Sequence, residues 1–254
     1  MTTHLKIALA QLNPTVGDID GNIAKARTAL AEARRLGADL VVLSELFVTG
    51  YPPEDLILKP AFVEAAKVAL EALAAEVTSD GPALLIGTPW PGTLPDDPRP
   101  HNGVALLDDG QVQALRFKVD LPNYGVFDEK RVFAPGPMPG PVNFRGVRLG
   151  LPICEDIWGQ DVVECLSETG AEILISPNGS PFEWKKPDVR MNVAVARVVE
   201  SGMPLVYLNQ VGGQDELVFD GGSFVLNADR SLVLQMPTFV EAMEVTHWTR
   251  AATG

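Results

Sequence analysis

An α/β layered domain with a mixed sheet or sheets is the fold class the sequence predicts, and three observations carry it. Short apolar runs of strand length alternate with longer segments whose apolar residues recur at helical spacing. An Asp-Gly pair separates two strand-like runs, as in a hairpin, so antiparallel pairs are mixed with parallel ones. The chain has 254 residues, 46% apolar but only 7% aromatic, so a sizeable core must rest on Leu, Val, Ile and Ala. That length suits one large domain or two small ones, and there is neither an internal repeat nor a low-complexity tract.

The elements follow in order. Lys6–Leu12 alternates as a strand does and is broken by Asn13-Pro14. Asp18 or Asp20 is placed to cap a helix through Leu36, with Ile23, Ala26, Leu30 and Ala33 on one face and Gly37 at its end. Leu40–Leu43 is a continuous apolar run of the buried-strand type and stops at Ser44-Glu45. A Pro-rich loop and a helix over Pro60–Val77 lead to a second buried strand, Ala83–Gly87, and a Pro/Asp-rich loop over Pro91–Pro100. Gly103–Leu107 and Gln111–Phe117 form the hairpin around Asp109-Gly110. After about Gly140 the pattern restarts: a strand Gly146–Ile153 ending at Cys154, a short helix Asp161–Glu168, a strand Glu172–Ser176, a helix Pro187–Glu200, a strand Leu205–Gln210, and a late hairpin of Phe224–Leu226 with Leu232–Leu234. The chain therefore reads as two βα halves. From Glu241 the sequence is polar and reads as the start of a linker.

Composition narrows the partners. With 20 Lys and Arg against 33 Asp and Glu, the formal charge is 20 − 33 = −13. Such a chain repels nucleic acid phosphates and anionic membrane surfaces. No apolar run reaches the roughly 20 residues of a membrane span, and the N-terminus runs into a strand rather than a signal peptide. Two cysteines, Cys154 and Cys165, are too few to staple a chain of this size, which points to a reduced, cytoplasmic setting.

Three polar residues stand where apolar strands give out: Glu45 after LVVL, Lys118 after QALRF and Cys154 after GLPI. A single charge at a strand end is ordinarily a solvated edge, and a lone cysteine is ordinarily a small core hydrophobe. Three such residues of complementary type point further, because strand ends in α/β sheets fix side chains at the mouth of a crevice. A thiol with an ordinary pKa near 8.5 is mostly protonated at neutral pH, a carboxylate can take its proton, and an ammonium can stabilise the oxyanion that follows. Hydrolysis of an amide through a thioester needs those groups, and the backbone N–H of Glu155 would be a second oxyanion donor. A Cys–His device is the rival. His4 and His247 lie near the termini, however, and His101 reads as a surface-loop residue. The cysteines and histidines match no zinc spacing, and Cys154-Glu155-Asp156 cannot all face one ion without a sharp turn. Gly212-Gly213 and Gly221-Gly222 fit no dinucleotide or phosphate loop.

VVLSELFVTGYPPEDL with Glu45, RFKVDLPNYGVFDEKRVFAPG with Lys118 and RLGLPICEDIWG with Cys154 resemble the nitrilase, or carbon–nitrogen hydrolase, superfamily. The resemblance runs from KIALAQLNPTVGDIDGN to FDGGSF, and LPNYGVFDEKRVF, ICEDIW, ISPNGSPF and NQVGGQDELVFDGGS look like the glutaminase domain of the glutamine-dependent NAD synthetases. It implies a four-layer α-β-β-α sandwich over residues 1–240, with 241–254 opening a linker to a synthetase domain. It implies glutamine as substrate, with Cys154 as nucleophile, Glu45 as general base and acid, Lys118 as oxyanion stabiliser, and Glu129 orienting Lys118 or the substrate. Tyr124, Ser180 and Lys186 match positions that hold glutamine. Read from the residues alone, Tyr124 also suits a loop lining, Ser180 a turn, Lys186 a surface charge, Trp158 packing beneath the Cys154 turn, and Asp215 and Glu216 a structural role or subunit contact. No metal or organic cofactor is implied for this half, since ATP and deamido-NAD would belong to the synthetase domain, whose pyrophosphate loop does not occur here. The superfamily also implies a homo-oligomer. Hydrolysis of another small C–N substrate, or a non-catalytic assembly role, are the alternatives.

Overall fold

The structure, a computed structural model, describes residues 4–92 and 97–250. In chain order its strands are β1 (His4–Gln11), β2 (Leu40–Val42), β3 (Ala83–Trp90), β4 (His101–Asp108), β5 (Gln111–Phe117), β6 (Val142–Phe144), β7 (Val147–Gly150), β8 (Ile173–Asn178), β9 (Leu205–Asn209), β10 (Val211–Gln214), β11 (Leu217–Asp220), β12 (Phe224–Leu226), β13 (Leu232–Gln235) and β14 (Ala242–Thr249). The helices are α1 (Ile19–Arg35), α2 (Pro60–Ala74), α3 (Glu129–Val132), α4 (Asp161–Glu168) and α5 (Lys186–Ser201). Helix α1 starts where the Asp18 carboxylate accepts the Gly21 N–H at 3.0 Å, and it ends before Gly37, which has φ +69°.

Two six-stranded sheets form, in the orders β14-β1-β2-β3-β4-β5 and β13-β12-β9-β8-β7-β6, with β10 and β11 as a separate ribbon. From β5 to β14 the neighbouring pairs are antiparallel, antiparallel, parallel, parallel and antiparallel. From β13 to β6 the same series recurs. The two halves read from the sequence thus build one sheet each, although the first sheet takes its edge strand β14 from the far end of the chain.

Strand alternation sets the layers. Ile7 and Leu9 of β1, Leu40 and Val42 of β2 and Leu85 of β3 face one core, where they meet Ile173 and Ile175 of β8, Val206 and Leu208 of β9 and Val225 of β12. The alternate residues Ala8, Ala10, Val41, Leu84 and Ile86 face α1 and α2 through Ile23, Ala26, Ala66 and Leu70. On the other sheet Leu174, Leu205 and Tyr207 face α4 and α5 through Val162, Leu166, Ala194 and Val198. The result is the four-layer α-β-β-α sandwich, with sheets stacked face to face. Among the described residues, no helix is long and apolar enough to cross a membrane.

Three expectations change. The strand expected to run to Ile153 ends at Gly150, because Pro152 has no N–H with which to continue a ladder. His101 is not a surface-loop residue: it opens β4, is buried, stacks on Phe117 at 4.3 Å and has Nδ1 3.0 Å from the Ala134 carbonyl. The polar stretch from 241 does not open a linker at that point. Eight registered pairs join β14 to β1, from His4↔Thr249 to Gln11↔Ala242; residues 251–254 lie outside those described. Its polarity is that of an edge strand, which faces solvent on one side. Truncation before Ala242 should therefore lower the thermal unfolding midpoint and the yield of monodisperse protein by uncovering β1, and an unchanged midpoint would show that β14 is dispensable. Ile7→Ala, in the inter-sheet core, should cost about 2–5 kcal/mol in denaturant unfolding.

Candidate active site

Each of the three sequence-predicted chemical residues sits at a backbone break, beyond the end of a strand. Glu45 lies in the turn after β2, followed by Leu46 at φ +46°. That turn lies tight against β3, where a Cβ on Gly87 would fall 2.3 Å from both the Leu46 nitrogen and the Ser44 oxygen. Lys118 directly follows β5, and its N–H still pairs with the Asn102 carbonyl of β4 at 2.8 Å. Cys154 opens a 3₁₀ turn, Cys154–Ile157, at φ +46°, a conformation that costs a non-glycine residue roughly 1–3 kcal/mol. The first N–H groups of such a turn have no acceptor inside it, so the Glu155 N–H is available beside the sulfur.

These breaks bring charge together in the interior. The Lys118 ammonium is fully buried and donates to Glu45 Oε1 at 2.7 Å and to Glu129 Oε1 at 2.9 Å. Glu45 Oε1 also accepts from Asn102 Nδ2 at 2.8 Å, and its Oε2 accepts the Gly179 N–H at 2.8 Å. Glu129 accepts in addition from the Tyr51 hydroxyl at 2.9 Å. Burial works against the Lys118 ammonium, yet the carboxylates of Glu129 and Glu45 outweigh it and hold its pKa well above the ordinary lysine value. Burial pushes the Glu129 carboxyl up to about 7, against the pull of Lys118. Cys154 is 5% exposed; burial, and next the Glu45 charge, push its thiol well above the ordinary cysteine range. The resting sulfur is therefore a neutral thiol beside a carboxylate. Cys154 packs in the inter-sheet apolar cluster, and the charges of Glu45, Lys118, Glu155 and Glu129 act on its sulfur there.

The remaining predicted residues surround this cluster. The Tyr124 hydroxyl donates to both Glu155 carboxylate oxygens, at 2.9 and 3.0 Å. Lys186 is no free surface charge: its ammonium lies 5.2 Å from the Trp158 ring and 5.7 Å from the Phe127 ring. Ser180 is buried next to Gly179, and its hydroxyl oxygen accepts from Arg190 Nε at 3.0 Å. Asp215 and Glu216 form the turn between β10 and β11, directly before Leu217, which packs in the same apolar cluster as Tyr51. A cavity of about 740 Å³ has Tyr124, Glu155, Val119, Asn123 and Gln160 in its wall, and Glu45, Lys118 and Glu129 do not line it. Cys154 is not in that wall, so the convergence of side chains, rather than cavity volume, marks the site.

Sequence reasoning missed Tyr51, Asn102, the Gly179 N–H and Asp156. Asp156 Oδ1 accepts the N–H groups of Val119 and Asp120 at 3.0 and 2.8 Å, while Oδ2 accepts that of Ile153 at 2.9 Å. One carboxylate thereby ties the Cys154 turn to the segment carrying Lys118. Its position two residues after Cys154 was the available signal. Among the described residues, no group of three or more His, Cys, Asp or Glu side chains is arranged to hold a metal.

The carbon–nitrogen hydrolase family profile matches residues 6–252. A glutamine-dependent NAD(+) synthetase from Rhodobacter capsulatus is 51% identical over 243 residues, covering 96% of this chain and 43% of the relative. One from Thermotoga maritima is 38% identical over 232 residues, covering 91% and 39%. The chain thus spans about two fifths of the length of these relatives. Among solved structures, a glutamine-dependent NAD+ synthetase from Acinetobacter baumannii superposes with a TM-score of 0.91 at 37% identity, covering 97% of this chain and 46% of the other. A glutamate-to-glutamine mutant of the amidase from Nesterenkonia sp. AN1 superposes with a TM-score of 0.84 at 29% identity, covering 97% and 91%, and carries the acetamide moiety of fluoroacetamide covalently at its active site cysteine.

The buried acids make stability depend on pH. Burial raises the Asp156 carboxyl from 3.8 to about 7 despite its three N–H donors. Between those values the folded chain keeps a proton that the unfolded chain releases. The contribution of Asp156 is therefore complete below about 3.8 and is lost as pH rises through about 7. Urea midpoints should fall from about pH 5 to about pH 8, and Asp156→Asn should flatten that slope without abolishing it, because Glu129 titrates in the same sense. A slope unchanged by the substitution would remove Asp156 from this account.

Proposed function

Because the chain belongs to the carbon–nitrogen hydrolase family, we propose that it is a glutaminase that releases ammonia through a thioester on Cys154. The observation that carries this reading is the buried Lys118 ammonium clasped between Glu45 and Glu129 at 2.7 and 2.9 Å beside the Cys154 turn. As the amide carbonyl arrives, Sγ attacks its carbon and the thiol proton passes to Glu45, so no free thiolate need accumulate. The oxyanion forms against the Lys118 ammonium and the Glu155 N–H. Glu45 then returns the proton to the amide nitrogen, the C–N bond breaks, and ammonia leaves. Water attacks the thioester with Glu45 again taking the proton, and the acid product and the Cys154 thiol are restored. Glu129, kept in place by Tyr51, orients Lys118 throughout.

Glutamine as the substrate is supported by the names of the relatives and by three polar groups, of which Tyr124 lines the cavity while Lys186 and Ser180 lie outside its wall. Lys186 offers a cation to the α-carboxylate, while Tyr124 and Ser180 offer hydroxyls. In the same reading the ammonia serves a synthetase domain that amidates deamido-NAD with ATP, outside these residues and joined in cis or met in trans. The hydrolysis itself draws on protein groups and water, with no cofactor of its own. The protein is proposed to act in the cytoplasm as a homo-oligomer, with no nucleic acid or membrane partner at its net charge of −13. The near full-length match to a self-standing amidase favours a second reading, hydrolysis of another small amide.

Ammonia release from glutamine, measured against aliphatic amides, nitriles and ureido acids, separates the two, and a preference for a simple amide would favour the second. Cys154→Ala should abolish ammonia release with the fold intact, whereas Cys165→Ala should not. Glu45→Gln should lower the rate by roughly 10²–10⁴. Glutamine hydrolysis retained in Cys154→Ala would end the proposed mechanism.

A further inference from the structure

A second buried ion pair lies behind the cluster and touches none of the reacting groups. Arg190, on α5, and Asp220, at the end of β11, are 3% and 2% exposed. The guanidinium uses all three of its nitrogens. Nη1 donates to Asp220 Oδ1 and Oδ2 at 2.7 and 2.9 Å, Nη2 to the carbonyls of Ser180 and Pro181 at 2.7 and 2.8 Å, and Nε to Ser180 Oγ at 3.0 Å. Buried charge is costly to desolvate, and a turn alone would not require a guanidinium. Here it fixes the segment immediately after Gly179, whose N–H is the donor to Glu45 Oε2.

The neighbourhood leaves that segment little freedom. A Cβ on Gly179 would stand 2.7 Å from the Tyr51 ring, so the backbone is pressed close to the site. The Ser180 N–H donates to Asn209 Oδ1 at 2.9 Å, and Asn209 Nδ2 returns a bond to the Ser180 carbonyl at 3.0 Å. Arg190 is the charged member of this set, and its planar fork matches two carbonyls and a carboxylate at once. A lysine could satisfy only part of that geometry.

We propose that Arg190, anchored by Asp220, is a positioning residue for Glu45: by holding the Ser180–Pro181 carbonyls it aims the Gly179 N–H at Glu45 Oε2 and so sets the direction in which the carboxylate meets Cys154. The inference rests on the reading of Glu45 as the base for Cys154.

The test is the pH dependence of Cys154 alkylation by iodoacetamide, in a Cys165→Ser background so that one thiol reports. Alkylation joins sulfur to carbon, expels iodide and passes the thiol proton to Glu45, and it requires no cleavage of an amide bond. The charged groups around Glu45, namely Lys118, Glu129 and Glu155, are unchanged in every variant compared. Glu45→Gln should slow alkylation at neutral pH and move its profile to higher pH. Arg190→Lys and the isosteric Asp220→Asn should do the same, by roughly tenfold to a hundredfold, while far-UV circular dichroism stays that of the parent. In the Glu45→Gln background Arg190→Lys should add no further slowing, since the groups act as one unit. Parent-like alkylation in both folded variants, or equal slowing with and without Glu45, would overturn the inference while leaving Glu45 as base. Loss of the fold in both variants would overturn it as well, making the pair a support of the fold. If Glu45→Gln itself leaves alkylation unchanged, the reading of Glu45 falls and takes the inference with it.

Discussion

The Lys118 ammonium, enclosed without solvent between the carboxylates of Glu45 and Glu129, is the interaction around which the rest of the molecule is arranged. An isolated ammonium in such a place would lose its proton or unfold the chain. Its charge persists because two carboxylates from distant parts of the chain reach it at hydrogen-bonding distance, each accepting from a further donor, although Glu129 Oε2 is buried without a partner. Glu45 takes bonds from Asn102 and Gly179, and Glu129 takes one from Tyr51. Removing one member leaves an unpaired buried charge, which costs about 3–5 kcal/mol in comparable settings. The cluster is thus a constraint on folding before it is an instrument of chemistry.

Face-to-face packing of the sheets is what makes the cluster possible. Glu45, Lys118 and Glu129 come from the first half of the chain, whereas Cys154 and Gly179 come from the second. Except for Glu129, which opens α3, these residues come after strand ends, where the ladder no longer claims the backbone. Positive φ at Leu46 and Cys154 bends the chain there. The Asp156 carboxylate joins the two contributions directly, since it binds N–H groups of Val119 and Asp120 on one side and of Ile153 on the other.

The same enclosure governs reactivity. Burial raises the Cys154 thiol, and the nearby Glu45 charge raises it further, more than Lys118 lowers it. A carboxylate–thiol pair of this kind keeps sulfur protonated until an electrophile is present, unlike a thiol paired with an imidazolium, which rests as thiolate. The proposed role of Glu45 depends accordingly on direction more than on charge, and the Gly179 N–H, held from behind by the Ser180 segment, supplies part of that direction.

Much of this was legible in the residues. Alternation in β1, continuous apolar runs in β2 and β8, the Asp-Gly turn between β4 and β5, and the caps of α1 are local signals, and the structure follows them to within a few residues. Glu45, Lys118 and Cys154 stood out because a polar residue directly after an apolar run has few structural reasons to be there. Other features are silent in sequence. Strand β14 looked like a tail because an edge strand keeps a polar face, and only its pairing with β1 reveals it. His101 looked exposed because its flanking prolines suggest a loop, while Phe117, sixteen positions later, buries it. The roles of Tyr51, Asn102, Gly179 and Arg190 lie in partners 9 to 134 positions away. The sequence by itself determined most secondary elements, the α/β class and the chemical types at the site, because those depend on local periodicity and composition, while the four-layer stacking followed from the family resemblance. Only tertiary structure decided which of those groups meet and in what protonation state, because both depend on desolvation and on distances that local sequence does not encode.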